Sequence, residues 1–175
     1  MVRPFFMQVT MDSPDAELAA IRALLRGDKF PDALAAGKAL LARAPQQRDA
    51  LLLTAVAQRF SGRIPDALDT LATLEQQHPR FSRLHEERGH CFVFMRQAEA
   101  AIGAFSVAVG LNYALPNSWS MLEGLYRMTG NAQGQKAAAG QVATLRKIPS
   151  EVITATGLFA DGDLDQAERM IRSFL

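Results

Sequence analysis

The chain has 175 residues, 49% of them hydrophobic, and its 19 basic and 18 acidic residues leave a formal net charge of +1. A chain of this length can bury a core, and the balanced charge gives no reason to expect a nucleic-acid partner. No run approaches the ~20 apolar residues of a membrane span, and the apolar run at the N-terminus is too short for the core of a signal peptide. We therefore expect a cytoplasmic protein with no membrane partner. The single cysteine, Cys91, excludes an intrachain disulfide, and its apolar helical surroundings predict a buried side chain.

The first residues of the chain, 1–13, show no helical period and are predicted to form an N-terminal tail. Ser13 followed by Pro14 is typical of a helix start, with a capping hydroxyl and a proline in the first turn. Two helices follow, with Gly27 and Asp28 at the turn between them. The array of helices is therefore predicted to begin at residue 14.

The next stretch, residues 50–79, is the most regular part of the chain. Its first helix breaks at Gly62, and its second begins near Ala67 and ends before Pro79. A small residue at Ala67 suits the close crossing of two helices. One residue more separates the glycine from the matching alanine in the first pair, so the sequence predicts a reshaped first turn.

The third stretch keeps the same register one period later. Gly89, Ala101, Phe105 and Ala108 are the counterparts of Ala55, Ala67, Leu71 and Leu74, each displaced by the step that separates Pro45 from Pro79. The turn position holds Arg96 instead of glycine, so this residue must adopt a turn conformation without the freedom of glycine.

The fourth stretch has a strong first helix and a weak second one. In the first helix and its turn, the repeat pattern has a large residue, a leucine, a tyrosine and a turn glycine. These positions hold Trp119, Leu122, Tyr126 and Gly130. The second has Gln135 where alanine stands in earlier units, and Gly134 and Gly140 each cost ~1 kcal/mol relative to alanine. We expect this second helix to be the softest of the array.

The last stretch restores the five-residue step, here from Gly162 to Ala167. It is predicted to begin two residues early, since Gly162 follows Gly130 by two positions fewer than Gly130 follows Arg96. It ends inside its second helix without a polar capping helix, which predicts an array that continues in a longer protein. Its uncovered apolar side chains make a homodimer through the C-terminal repeat a candidate; they are Leu164, Ile171, Phe174 and Leu175.

A 34-residue helix–turn–helix period resembles the tetratricopeptide repeat (TPR) family. The resemblance implies an all-α fold, a right-handed superhelix or α-solenoid of about ten helices. It places a TPR domain at 14–175, with repeats at 14–47, 48–81, 82–115, 116–148 and an incomplete 149–175.

From about Ser82 onward, the segments LNYALPNSWSMLEGLYRMTGN and LFADGDLDQAERMIRSFL are similar to the N-terminal repeat array of bacterial TPR-containing sulfotransferases. This resemblance implies an alternative function, an accessory domain beside a catalytic domain that uses the sulfate donor PAPS. The chain offers no glycine-rich phosphate loop after a strand, so no catalytic residue of that family is carried over.

Side chains with catalytic or ligand chemistry form no convincing site. His85, His90 and Cys91 lie close in sequence, but the two histidines are about 140° apart around a helix, so we expect no metal. Glu86 and Glu87 are expected to be solvated, with His90 beside Glu86. We therefore expect no catalytic residue, no cofactor and no enzyme activity in this chain.

The remaining candidate is the concave face that a TPR array presents, formed by first-helix residues that packing does not use. The predicted groove residues are Leu52, Leu53, Val56, Arg59, Phe60, Arg83, Glu86, Glu87, His90, Val93, Phe94, Asn117, Ser120, Met121, Arg127 and Met128. An apolar stripe with charges of both signs suits a peptide or protein partner, with Phe60 and Phe94 as anchors. Some TPR domains bind the C-termini of chaperones through Asn and Lys residues at such groove sites. Leu53 and Glu87 stand at these sites here, so a chaperone C-terminus is not the expected partner. The sequence thus predicts a non-catalytic protein-interaction module, unless the groove is filled by the chain's own tail or by the rest of a longer protein.

Overall fold

The structure, a computed structural model, describes residues 13–174, which form ten α-helices and no strand. The helices are α1 Pro14–Arg26, α2 Phe30–Arg43, α3 Arg48–Phe60, α4 Ile64–Gln77, α5 Ser82–Phe94, α6 Ala98–Leu111, α7 Pro116–Met128, α8 Ala132–Leu145, α9 Ser150–Ala160 and α10 Leu164–Phe174. The all-α prediction is confirmed. Of the predicted tail, residues 1–13, the first twelve lie outside the described residues, as does the C-terminal Leu175. Ser13 is the N-cap of α1, and its hydroxyl accepts from the N–H of Ala16 at 3.2 Å.

The chain divides into two compact units, and each is described by itself. The N-terminal unit ends at Gln77 and contains α1–α4. The C-terminal unit begins at His78 and contains α5–α10.

The first helices of successive pairs begin at one constant step along the chain, at Pro14, Arg48, Ser82, Pro116 and Ser150. The last pair therefore does not begin early, and that prediction was wrong. Gly162 comes two residues early because α9 is shorter, with 11 residues where α7 has 13.

Between residues 13 and 174, the five turns within the helix pairs all have the same construction. Three residues separate the helices, and the last of them donates its N–H to a carbonyl five residues back at 2.8–2.9 Å. The middle residue has a φ between 56° and 83°, which is the geometry of a Schellman helix end. These residues are Asp28, Gly62, Arg96, Gly130 and Gly162.

The first turn corrects a prediction. Asp28, not Gly27, takes the left-handed conformation, with φ of 56° against −93° for Gly27. Asp28 stands five residues before Ala33, the same step that joins Gly62 to Ala67. The turn is thus not reshaped; the glycine occupies the preceding position, at the end of α1. Arg96, with φ of 59°, does adopt the conformation expected for it.

The N-terminal unit packs around a cluster that includes Leu18, Ile21, Leu40 and Ala57. Arg22 of α1 donates to the carboxylate of Asp49 in α3 at 2.9 Å. Helices α2 and α3 cross so closely at Gly37 that an added Cβ would collide with the Thr54 hydroxyl. A small residue at this crossing is therefore required by the contact.

The core of the C-terminal unit joins α5–α8 and includes Phe105, Leu115, Leu122, Leu125 and Ala138. Close approaches at two glycines hold its helix pairs together. A Cβ at Gly89 would lie 2.8 Å from the Phe105 ring, and one at Gly134 would lie 2.9 Å from the Tyr126 ring. Gly134 therefore has a packing role that its helix propensity does not suggest.

The α9–α10 pair, called the terminal hairpin below, does not continue the stack. In the described part of the C-terminal unit, contacts are extensive between α5 and α6, α6 and α7, α7 and α8, and α9 and α10, but not between α8 and α9. Instead Gly157 of α9 lies against the carbonyl of Ala114, just before α7, and Asp161 reaches the first residue of α5, Ser82. Helix α9 thus lies across the N-terminal ends of α7 and α5, and the expectation that the last unit restores the pattern holds for its turn but not for its packing.

Candidate ligand-binding surface

The groove residues of the N-terminal unit all lie on α3 and are at least partly covered. Leu52, Leu53, Val56 and Arg59 are half-buried, and Leu53 packs against the core. Phe60 is exposed, but its ring stacks on that of Phe30 with centroids 4.7 Å apart and an interplanar angle of 7°. The Arg59 guanidinium carbon lies 4.2 Å from the centroid of the Phe60 ring. Phe30 and Arg59 therefore fix the position of the Phe60 ring, and only part of its surface is open to a ligand.

The groove residues on α5 fall into three groups. Arg83 and Phe94 are exposed, whereas Glu86, His90 and Val93 are half-buried. Glu87 is only 5% exposed, so it does not line an open surface. His90 meets the Phe105 ring edge to face, at 5.1 Å between centroids.

The acidic pair on α5 is not solvated, which corrects the sequence-based expectation. Glu86 accepts a hydrogen bond from the Ser118 hydroxyl of α7 at 2.8 Å and lies 3.9 Å from Arg83. The contact joins two successive first helices. Burial of Glu87 depends on the packing of α5, which residue type and helical spacing do not reveal.

The groove residues on α7 are more open. Asn117, Ser120, Arg127 and Met128 are exposed, and Met121 packs partly against the core. The Ser120 hydroxyl donates to the carbonyl of Pro116 at 3.0 Å, within its own helix.

One position repeats as an exposed apolar side chain. The last residue of α3, α5 and α7 is Phe60, Phe94 and Met128, at exposures of 50%, 62% and 79%. Each stands just before a three-residue turn. Exposed large apolar side chains at a fixed repeat position are the feature most suited to ligand contact in either unit.

The cysteine and histidine side chains that sequence reasoning considered as ligands lie in the interior or apart from one another. Cys91 is buried, as predicted. His85 is also buried, and its Nε2 lies 3.1 Å from the carbonyl oxygen of Pro79. Over the described residues, no group of three His, Cys, Asp or Glu residues could hold a metal ion. None of the helices described is long and apolar enough to cross a membrane.

A polar cluster, called the clasp below, was missed by sequence reasoning. Its centre is Asn112, 1% exposed, whose amide nitrogen lies 3.2 Å from the Ser82 hydroxyl, 3.1 Å from the Gly157 carbonyl and 3.4 Å from the Asp161 carboxylate. The Asn112 side-chain oxygen accepts from the N–H of Ala114 at 3.0 Å.

Asp161 completes the clasp from the terminal hairpin. Its carboxylate accepts from the N–H of Ser82 at 3.0 Å and lies 3.9 Å from Arg83, a groove residue. The available signal was a departure from the repeat: Tyr113 stands where the earlier units have Pro45 and Pro79, with Asn112 before it.

The comparisons with known proteins agree on the fold. No protein-family model and no curated protein matches the sequence. The structure is similar to TTC0263, a thermophilic TPR protein in Thermus thermophilus, with a TM-score of 0.70 and 22% identity over 86% of this chain and 82% of that one. It is similar to the MamA protein, with a TM-score of 0.63 and 18% identity over 90% and 87% of the two chains. A third similar structure is Naa15/Naa10 bound to HypK-THB, with a TM-score of 0.69 and 14% identity over 91% of this chain and 24% of that one.

These likenesses, together with the ten described helices, the constant step between pairs and the repeated turn, show a TPR-type α-solenoid fold. At these identities they carry the fold alone.

Proposed function

We propose that this protein is a non-catalytic interaction module that binds a peptide or partner protein on the exposed first-helix residues within a unit, foremost those of α5 and α7 in the C-terminal unit. The observation that carries the proposal is the exposed apolar side chain at the end of α3, α5 and α7. Soluble proteins bury most large apolar side chains, and a repeated exposed set is typical of a contact surface.

The chemistry around the apolar positions favours a polypeptide ligand. On α7, Met128 follows Arg127 and lies on the same helix as the exposed Asn117. On α5, Phe94 lies on the same helix as Arg83. Asn117 and Arg83 lie near the opposite ends of these helices from Met128 and Phe94, roughly 16 Å away at 1.5 Å per residue. An apolar anchor at one end and a polar group at the other suit an extended peptide. The Naa15/Naa10 structure, which holds HypK-THB, is an example of a similar fold in a protein assembly.

The test uses the C-terminal unit, where the anchors are most exposed. Peptides are selected from a displayed random-peptide library on the unaltered protein, and their affinities are measured by fluorescence anisotropy. The double variant Phe94→Ser/Met128→Ser should lose about tenfold or more in affinity. Val107→Ser is the matched control, because Val107 is an exposed apolar residue on a second helix.

Thermal melting separates binding from folding in this test. Exposed substitutions change stability by about 0.5 kcal/mol or less, so both variants should melt close to the parent protein. Unchanged affinity in a folded Phe94→Ser/Met128→Ser variant would refute the proposed surface.

The likeness of residues 82–175 to sulfotransferase-associated arrays supports a narrower proposal, an accessory domain that positions a polypeptide acceptor. None of the three similar structures described above is named as a sulfotransferase. The coding sequence after Leu175 tests it: a phosphate-binding loop downstream supports this role, and a stop codon or further repeats count against it.

Self-association through the terminal hairpin is a second proposal, supported by the exposure of Phe159, Leu164 and Phe174. The hairpin also holds an open, mostly apolar cleft of about 560 Å³ lined by Ala155, Leu164 and Ile171, among others. Sedimentation equilibrium of the parent protein and of Leu164→Asp tests it. A monomer at all concentrations in the parent protein would contradict self-association.

A further inference from the structure

We propose that the terminal hairpin is a detachable strap with two positions: folded back across the N-terminal ends of α5 and α7, and stacked on α8 as the next repeat. The clasp holds the first position. The second is the one that the repeat pattern itself would give.

The folded-back position depends on a few polar contacts. Asp161 is the side chain of the hairpin that enters the clasp, where it meets the N–H of Ser82 and the amide of Asn112. The carbonyl of Gly157 supplies one further bond, from Asn112 at 3.1 Å. Large apolar side chains of the hairpin stay exposed in this position, among them Phe159 and Leu164. The clasp is thus a polar attachment of the hairpin, while Phe159 and Leu164 remain uncovered in this position.

The stacked position is compatible with the chain connection. Four residues, 146–149, join α8 to α9, and four residues, 112–115, join α6 to α7, which do stack. The start of α9 follows the start of α7 by the same step that separates the earlier first helices. Neither loop length nor register prevents α9 from packing on α8 as α7 packs on α6.

One position on α8 is open in the way that a missing neighbour would leave it. Val109 of α6 is buried in the core that α6 shares with α7, and Ala143 of α8 is its counterpart one repeat later. Ala143 is exposed, because α9 does not lie on α8. A stacked α9 would cover this position.

Exchange between the positions would change access to one end of the α5 face. In the folded-back position the hairpin covers Ser82 and contacts Arg83, which is one of the groove residues. Release would free both. The effect on ligand access rests on the proposed function. The existence of the two hairpin positions does not depend on that function.

The test is a distance measurement between spin labels in the C-terminal unit. Cysteines replace Gln141 of α8 and Arg169 of α10, both exposed, while the buried Cys91 is kept. Labels replacing Val107 of α6 and Ala137 of α8 stand at the equivalent positions, counted from the first residue of each helix. This second pair therefore gives the distance between two second helices that are separated by a stacked first helix. Both pairs are measured by pulsed electron spin resonance.

The parent protein should show a main distance that differs from the stacked reference. In Asp161→Ala/Asn112→Ala, a second population should appear at the reference distance, while the Val107/Ala137 pair stays unchanged. Asp165→Ala removes an acidic residue of the same hairpin outside the clasp and should behave as the parent. Circular dichroism should show that the hairpin, with 11 residues in each helix, stays helical.

Three outcomes would overturn the proposal. An unchanged single distance in the clasp variant shows that the hairpin has no second position. A broad distribution without the reference distance shows release without stacking. The same second population in Asp165→Ala, or already dominant in the parent, shows that the clasp does not hold the hairpin. Peptide affinity is measured separately, so a failure of the proposed function leaves the distance result intact.

Discussion

The carboxylate of Asp161 accepts a 3.0 Å hydrogen bond from the backbone N–H of Ser82, a residue 79 positions earlier in the chain. Ser82 is the first residue of α5, and the residue before it, Phe81, has no side chain that can cap a helix. Asp161 therefore caps α5 from a distant helix pair, and its negative charge is favourable at a helix N-terminus.

Removal of this cap should destabilise the protein. We expect Asp161→Ala to lower the free energy of unfolding by about 1 kcal/mol, the usual loss for a helix N-cap. Asp161→Asn should lose less than Asp161→Ala, because its amide oxygen can still accept the Ser82 N–H, but it gives up the acceptor that faces the Asn112 amide nitrogen at 3.4 Å. Urea denaturation measures both, with Asp165→Ala as the control. A loss no larger than that of the control would contradict the capping role.

The two glycines of α8 should respond in opposite directions to alanine. Gly134→Ala places a Cβ 2.9 Å from the Tyr126 ring and should cost about 1–3 kcal/mol. Gly140 has open space at its Cβ position, so Gly140→Ala should stabilise the protein by about 0.5–1 kcal/mol through helix propensity. Thermal or urea unfolding distinguishes them, and equal effects of the two substitutions would refute the packing role of Gly134.

The left-handed turn residues make a second matched pair. Arg96, with φ of 59°, carries the strain of a side chain in this region, and Arg96→Gly should stabilise by roughly 1 kcal/mol. Gly62, with φ of 74°, is the reverse case, and Gly62→Ala should destabilise by a similar amount. Destabilisation by Arg96→Gly would mean that the arginine side chain makes contacts worth more than the strain.

Hydrogen exchange should be faster in α8 than in α4. Helix α8 contains two glycines, and in the described structure α9 does not pack on its outer face. We expect amides of residues 132–146 to exchange faster than those of 64–77 under native conditions. Mass spectrometry of peptic fragments measures both segments, and equal protection would contradict this expectation.

The repeat architecture was accessible from the sequence because its signals are local and recur. The glycine-to-alanine step fixed the turns and the helix pairs, and the buried positions of Ala67, Ala101 and Phe105 agree with the predicted register. The first turn was predicted to be reshaped because the step to Ala33 was counted from Gly27, whereas Asp28, the residue with positive φ, keeps the five-residue step. An aspartate is among the few side chains that tolerate this conformation.

The missed features arise from contacts between residues far apart in the chain. The hydrogen bond between Asp161 and Ser82 has no periodic signature, so nothing in the pattern reveals that the terminal hairpin folds back. The stacking of Phe60 on Phe30 likewise joins two helix pairs. Helical spacing shows which face a residue occupies, but it does not show whether another element covers that face.

The most direct test of the proposed binding surface is the exchange footprint of a selected peptide on the unaltered protein. Amide exchange is compared by mass spectrometry with and without saturating peptide. Binding at the proposed surface should add protection at the ends of α5 and α7, around Val93–Phe94 and Arg127–Met128, and change little in α6 around Val107. Protection confined to α6 and α8, with none at the ends of α5 and α7, would contradict it.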